Sequence, residues 1–234
     1  MPDLLSGAEH LLTVAVFAIT VAFMCWIGRR LRGTAAGRTY ERSLAVGVCL
    51  LWFGYQAYDI TVMGFHASHA LPLQMSDVTA AVAGLVMVWP YRGLQALAYF
   101  FGLALGTQAV FTPDLAGGPD TISFWAFWLY HVFVVGSGVY VVVVQGFRPQ
   151  WKDLRVALLV GWMYAAVVFT IDAVFHLNYG YLGRATPSRP TLLDVLGPWP
   201  TRVVFMVILA SAGMMLLLVP WLLVRRRERA LRSL

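Results

Sequence analysis

Seven runs of about 20 mostly apolar residues fill nearly the whole chain, and each is long enough to cross the hydrocarbon core of a bilayer as a helix. They fall at residues 9–28, 43–63, 71–89, 93–112, 122–146, 155–176 and 201–224. In lipid every backbone N–H and C=O must be satisfied internally, which restricts spanning segments to helices and closed barrels, and runs of this length fit the helix. The pattern predicts an all-α membrane bundle of seven transmembrane helices, a single integral domain over residues 1–234. Only 12% of the residues are charged, about half the share of a soluble domain. Cys25 and Cys49 both lie inside apolar runs, so there is neither a disulfide framework nor a zinc-finger spacing. The first residues carry Asp3 and Glu9 in place of the basic region of a signal peptide, so the first run is expected to stay as a helix.

A net charge of +6 would suggest nucleic acid only if the arginines lined a soluble face. They sit at helix ends instead. Arg29, Arg30, Arg32, Arg38, Arg42, Arg92, Arg148, Lys152, Arg155 and the five arginines from Arg225 to Arg232 make 14 of the 17 basic residues on one side. Arg184, Arg189 and Arg202 are on the other. The positive-inside rule then puts the N-terminus outside and the C-terminus in the cytoplasm, with the cell membrane as the expected location. Membrane phospholipid is the expected partner, with no nucleic acid and no soluble partner. No cofactor is expected. Retinal chemistry needs a lysine within a late helix, and the sole lysine, Lys152, lies in a loop. Haem needs histidines facing each other across a bundle, and His131 has no partner at its depth.

The polar residues within the spans are concentrated in the outer half. Span two holds Tyr55, Gln56 and Asp59 near its outer end; span three opens with LPLQMSD, residues 71–77, which includes Gln74, Ser76 and Asp77. Span four ends with Gln108, span five carries His131, and span six ends with Asp172 and His176 on one helix face. The stretch 168–201 then adds Asn178, Tyr179 and Tyr181, and Asn178 is the chain's single asparagine. A buried Asp costs roughly 2.5–3.5 kcal/mol at a helix centre, so three of them call for partners or a wet cavity. The expectation is an outward-facing polar pocket roofed by residues 177–200, with a re-entrant or surface-lying piece near 190–200. Gln74, Asp77, Asp59, Tyr55, His176, Asn178 and Tyr179 are its expected substrate contacts. A helix from Leu71 would carry Ser76 about 8 Å below its start, and one from Ile122 would carry His131 about 14 Å below.

The motifs LPLQMSD (71–77), His131 early in span five and NYGYL…TLLDVLGPWP (178–200) resemble the YwaF-like family of bacterial seven-helix membrane proteins. The resemblance extends over all seven spans and implies their fold. More distantly, the chain is similar to eukaryotic polytopic phospholipid acyltransferases and to ADTRP-like hydrolases of fatty-acid esters. There a Cys or Thr nucleophile is thought to work with a histidine from a later helix, and Ser76 and His131 stand at the corresponding positions. The resemblance implies a lipid acyltransferase or ester hydrolase. In such a site Ser76 needs His131 as base, and Asp172 is the residue expected to orient that imidazole.

Each residue also has a structural reading. Ser76 could bond the carbonyl four residues back, and His131 could be an interhelical hydrogen-bonding group. Asp59 and Asp172 could bond Tyr55, Tyr179 or the loop residues Arg184 and Arg189. Trp125, Trp128, Trp199 and Trp221 read as an interfacial belt. Two further functions fit the same residues: a non-catalytic lipid or solute binder or transporter, and a zinc-dependent lipid hydrolase using His66, His69 and His176 with Asp59 and Asp172.

Overall fold

The computed structural model describes residues 7–113, 115, 117–185 and 195–232, and among these it is helical with no strand. The helices are α1 (Gly7–Leu31), α2 (Ala35–Met63), α3 (Met75–Val88), α4 (Arg92–Phe100), α5 (Thr107–Phe111), α6 (Ile122–Val143), α7 (Trp151–Phe175) and α8 (Thr201–Arg232). A π-helical segment, Phe101–Gly106, joins α4 to α5, so that Arg92–Phe111 forms one continuous span. Six of these helical rods are long and apolar enough to cross a membrane. The exception is the third expected span. Its helix, α3, has 14 residues and is about 21 Å long, against a hydrocarbon core of about 30 Å.

Local chemistry fixes where the helices begin and end. Thr34 and Thr121 cap α2 and α6 by accepting from Gly37 N and Phe124 N, at 3.0 and 3.3 Å. Asp77 and Asp153, each three residues into its helix, reach back to the amides of Gln74 and Gln150, at 2.9 and 2.7 Å. Helix α7 stops at His176, which takes a left-handed conformation with φ 57°.

Helix α6 is the axis of the bundle. It is 61% buried along its span, whereas no other span exceeds 39%. It packs against α1, α2, α3, α4 and the π segment, while α7 and α8 meet each other and reach the rest mainly through α4 and the π segment. The contact between the π segment and α6 is backbone to backbone: a Cβ on Gly102 would lie 2.6 Å from the Val134 carbonyl oxygen.

The basic ends of the helices are gathered together, as their charge pattern predicts. Arg92 Nε and Nη2 donate to the two oxygens of the buried Asp153 at 2.8 and 2.7 Å, tying α4 to α7. Arg225 donates to the carbonyls of Arg148 and Pro149, and Arg148 pairs with Glu228. At the opposite end a second, smaller core forms from Val168, Tyr179, Leu182 and Val203, with Trp199 stacked on Phe169 at 5.6 Å. These residues come from the described parts of the 168–201 stretch and from the first turn of α8. Of the piece expected near 190–200, residues 190–194, together with Arg189, lie outside the described residues.

Candidate functional site

The missing length of α3 is the key to the site. Residues 64–74 are irregular rather than helical, and irregular chain advances up to about 3.3 Å per residue against 1.5 Å in a helix. The helix therefore starts at Met75 rather than Leu71, and Tyr130, the residue before His131, reaches the Ser76 carbonyl at 3.1 Å. Irregular backbone at membrane depth is tolerated only where protein or a cavity satisfies it. Here the satisfaction is explicit. Gln56 Nε2 donates to Ala70 O (2.6 Å) and Tyr164 Oη to Leu73 O (2.7 Å). Tyr179 Oη accepts from Leu71 N (2.9 Å) and donates to Ala67 O (2.7 Å). Burial pushes the Tyr179 phenol above its ordinary range, which keeps it protonated and able to donate. Gly180 N donates to Gln74 Oε1 at 2.9 Å, and Gly180, with φ 59°, presses so closely on Tyr164 that a Cβ would meet its hydroxyl at 2.7 Å.

A cavity of about 700 Å³ opens beside this segment, within the range of small-molecule sites. Ser76 and Asp77 line it from α3 and Gln74 from just before it, His131 and Tyr130 from α6, and Tyr55, Gln56 and His69 from the end opposite the basic one. Much of the remaining wall is apolar, including Leu105, Val134, Leu158, Met206 and Met214.

Within it, His131 is buried, and its Nδ1 lies 2.8 Å from the Phe127 carbonyl oxygen. A carbonyl can only accept, so Nδ1 carries the proton and Nε2 is left as an acceptor. The Ser76 hydroxyl has no hydrogen-bond partner among the described residues, unlike Thr79, Thr107 and Ser211, which bond the carbonyl four residues back. The carbonyl four back from Ser76 belongs to Pro72, outside the helix, so that structural reading has no acceptor to use. The Tyr130 hydroxyl lies 3.1 Å from Ser76 O and 3.0 Å from Asp77 Oδ1. Trp52 Nε1 donates to the same Asp77 oxygen at 2.9 Å.

Several expected roles change. Asp172 does not orient His131: its Oδ1 accepts from Tyr179 N at 3.1 Å, and the Phe127 carbonyl takes the orienting place. The other Asp172 oxygen is buried without a partner among the described residues. Asp77 and Tyr179 are engaged in holding the irregular segment rather than free for a ligand, and Asn178 Oδ1 is occupied by Gly183 N at 3.1 Å. His176 is an exposed helix terminus away from the cavity wall. Asp59 pairs with His69 Nδ1 at 2.6 Å rather than with a tyrosine or arginine. Among the described residues no three His, Cys, Asp or Glu come together as metal ligands, although His66 lies beside the His69–Asp59 pair. Trp128, expected in the interfacial belt, is buried against Phe17, Phe124 and Phe127. Sequence reasoning passed over Tyr130, Tyr164 and Trp52; the hydroxyls within apolar helices were a signal, but aromatic residues there read first as packing.

The family model described as the TMEM164 family matches residues 4–218. The chain belongs to the TMEM164 family. The matched region takes in every residue that lines the cavity, from Leu51 to Met214. Neither the curated proteins nor the solved structures contain a match. Membership, together with six spanning helices, makes this TMEM164 protein a multi-pass membrane protein.

Proposed function

We propose that the protein is a lipid-handling membrane enzyme, an acyltransferase or ester hydrolase, with Ser76 as nucleophile and His131 as general base. One observation carries the reading: His131 presents an acceptor Nε2 in a cavity that Ser76 lines with an unengaged hydroxyl. Similarity of the motifs to polytopic phospholipid acyltransferases and to ADTRP-like ester hydrolases adds to it. In the reaction, Ser76 Oγ attacks the ester carbonyl of a phospholipid while His131 Nε2 takes the hydroxyl proton. The tetrahedral intermediate collapses, the bond to the leaving alkoxide breaks, and the alkoxide takes the proton from His131. Water then cleaves the acyl-serine in a hydrolase, or a second alcohol takes the acyl group in an acyltransferase, with His131 again as base. The side-chain Nε2 of Gln74, whose Oε1 is held by Gly180 N, and the backbone amides of Met75 and Ser76 supply donors for the developing oxyanion. The Phe127 carbonyl fixes the imidazole in place of a carboxylate. The site opens to the outer side of the cell membrane, with the basic ends of the helices in the cytoplasm.

The test is intact-protein mass spectrometry after incubation with phospholipid donors, comparing wild type with Ser76→Ala and His131→Ala. A fatty-acyl mass increment mapping to Ser76 and absent from both variants is the expected result. The second reading is a lipid-binding protein without catalysis, favoured by the consumption of Gln56, Asp77, Tyr164 and Tyr179 in backbone hydrogen bonds. It takes over if no adduct and no released fatty acid form and lipid co-purifies equally with all three proteins.

A further inference from the structure

The geometry points to the seam between α7 and α8 as a lateral door through which an acyl chain of a bilayer lipid enters the cavity. This rests on the reading of the cavity as a lipid site and adds the route and the form in which the substrate arrives. On α7, Gly161 and Ala165 lie one turn apart on one stripe, and Ala210 and Ser211 face the same space from α8. Small residues on facing membrane helices ordinarily bring the two backbones into contact. Here all four also line the cavity, so it reaches in between the packed helices as a narrow corridor, with Gly161 in ordinary van der Waals range of Phe101 and of Met214 on α8. Trp162 and Leu209 line the cavity and are 47% and 48% exposed, next to Met163 and Ile208, which are exposed without lining it. A residue that borders both spaces marks the place where the cavity meets the outer surface.

The depth of that place identifies the occupant. Trp162 is 11 residues from the start of α7, about 17 Å along its axis, and Ser211 is 10 residues from the start of α8, about 15 Å along it. Both positions fall near the middle of the bilayer, where the surroundings are hydrocarbon and not water or headgroups. Closure depends on a single side-chain hydrogen bond between the two helices, Trp162 Nε1 to Ser211 Oγ at 3.1 Å, and that bond is exposed. Met206 and Leu158 line the same cavity as Ser76 and His131, so an apolar wall and a polar one share one space. That pairing suits a lipid whose chain lies against the apolar wall while its ester rests at the polar residues.

The experiment uses the full chain in nanodiscs of phosphatidylcholine carrying a diazirine at the end of one acyl chain, irradiated and mapped by peptide mass spectrometry. Wild type is compared with Trp162→Ala, which removes the latch, and Ala210→Trp, which fills the corridor. Expected are labels on cavity residues of the 104–108 region in wild type, reached at least threefold faster in Trp162→Ala and reduced at least fivefold in Ala210→Trp. Labelling at Leu159, on the outside of α7, stays constant as the control. Cavity labelling that is unchanged in a folded Ala210→Trp protein overturns the door, as does an unchanged labelling rate in Trp162→Ala. Should Ala210→Trp not fold, the Trp162→Ala rate decides alone. Labelling that follows this pattern without any acyl adduct on Ser76 leaves the door standing and removes the catalytic reading.

Discussion

Replacing Tyr179 by Phe isolates the hydrogen bonds that hold the irregular segment. The side chain is fully buried, so the ring stays packed and only the hydroxyl is lost. Leu71 N–H then loses its acceptor, which costs about 1–3 kcal/mol for a buried donor left unpaired. The Ala67 carbonyl loses a donor as well, but Ala67 is exposed and can take water, so its share is about 0.5–1.5 kcal/mol. The sum is about 3 kcal/mol. For a chain of this size each kcal/mol moves Tm by roughly 2–4 °C, so Tyr179→Phe is expected to melt roughly 6–12 °C below wild type. Thermal unfolding in mild detergent, followed by tryptophan fluorescence, gives the shift. Hydrogen exchange at Leu71 reports the bond itself, and its protection is expected to fall. A Tm within about 2 °C of wild type with Leu71 still protected would refute the view that Tyr179 anchors this segment.

Three further outcomes follow from the geometry. Asp172→Asn keeps an acceptor for Tyr179 N and is expected to retain acyl transfer within about threefold, whereas an orienting triad aspartate loses about 10⁴ on that change, so single-turnover kinetics separates the two roles. Arg92→Ala leaves the buried Asp153 carboxylate without its bidentate partner; because the Arg92 side chain is 42% exposed, the loss is about 2–3 kcal/mol, below that of a fully buried pair, and shows as a lower Tm. Gly102→Ala drives a Cβ against the Val134 carbonyl and must part the π segment from α6, costing about 1–3 kcal/mol, to be read by thermal unfolding beside Gly161→Ala, whose Cβ meets only ordinary contacts.

The bundle was legible because hydropathy and charge are one-dimensional signals. Runs of apolar residues and the clustering of arginines at alternate ends carry the spans and the common basic end without reference to packing. Ser76 and His131 were legible for a related reason, since a polar group in an apolar helix stands out by contrast. What the sequence hid was three-dimensional. Leu71-Pro72-Leu73-Gln74 is apolar enough to read as helix, and nothing in its composition says that Tyr164 and Tyr179, roughly a hundred residues away, satisfy its backbone and so allow it to unwind. Asp172 was assigned to His131 by chemical type alone, although a carboxylate one turn from a helix end has local amides competing for it, and Tyr179 N won. The π segment carries no compositional mark beyond Gly102 and Gly106.

The two capping aspartates show how the same local device is adapted to two environments. Asp77 and Asp153 each reach back to the amide three residues before them, and each then takes further donors from other helices. At the basic end, where water and headgroups are near, the donor to Asp153 is a cation, Arg92, which stays partly exposed while it pairs. At α3, whose Asp77 is enclosed among neighbouring helices, the donors are the neutral Trp52 and Tyr130. Bringing a second charge to that place adds a desolvation cost that the pair's attraction must recover, whereas an indole and a phenol supply hydrogen bonds with little such cost. Those donors also come from α2 and α6, so the residue that ends the irregular segment fixes the start of α3 against the central helix. Tyr130 precedes His131 by one residue, and the bonds from its hydroxyl to Ser76 O and Asp77 tie α6 to the first turn of α3. The stability of the short helix and its attachment to α6 are consequences of one hydrogen-bond network.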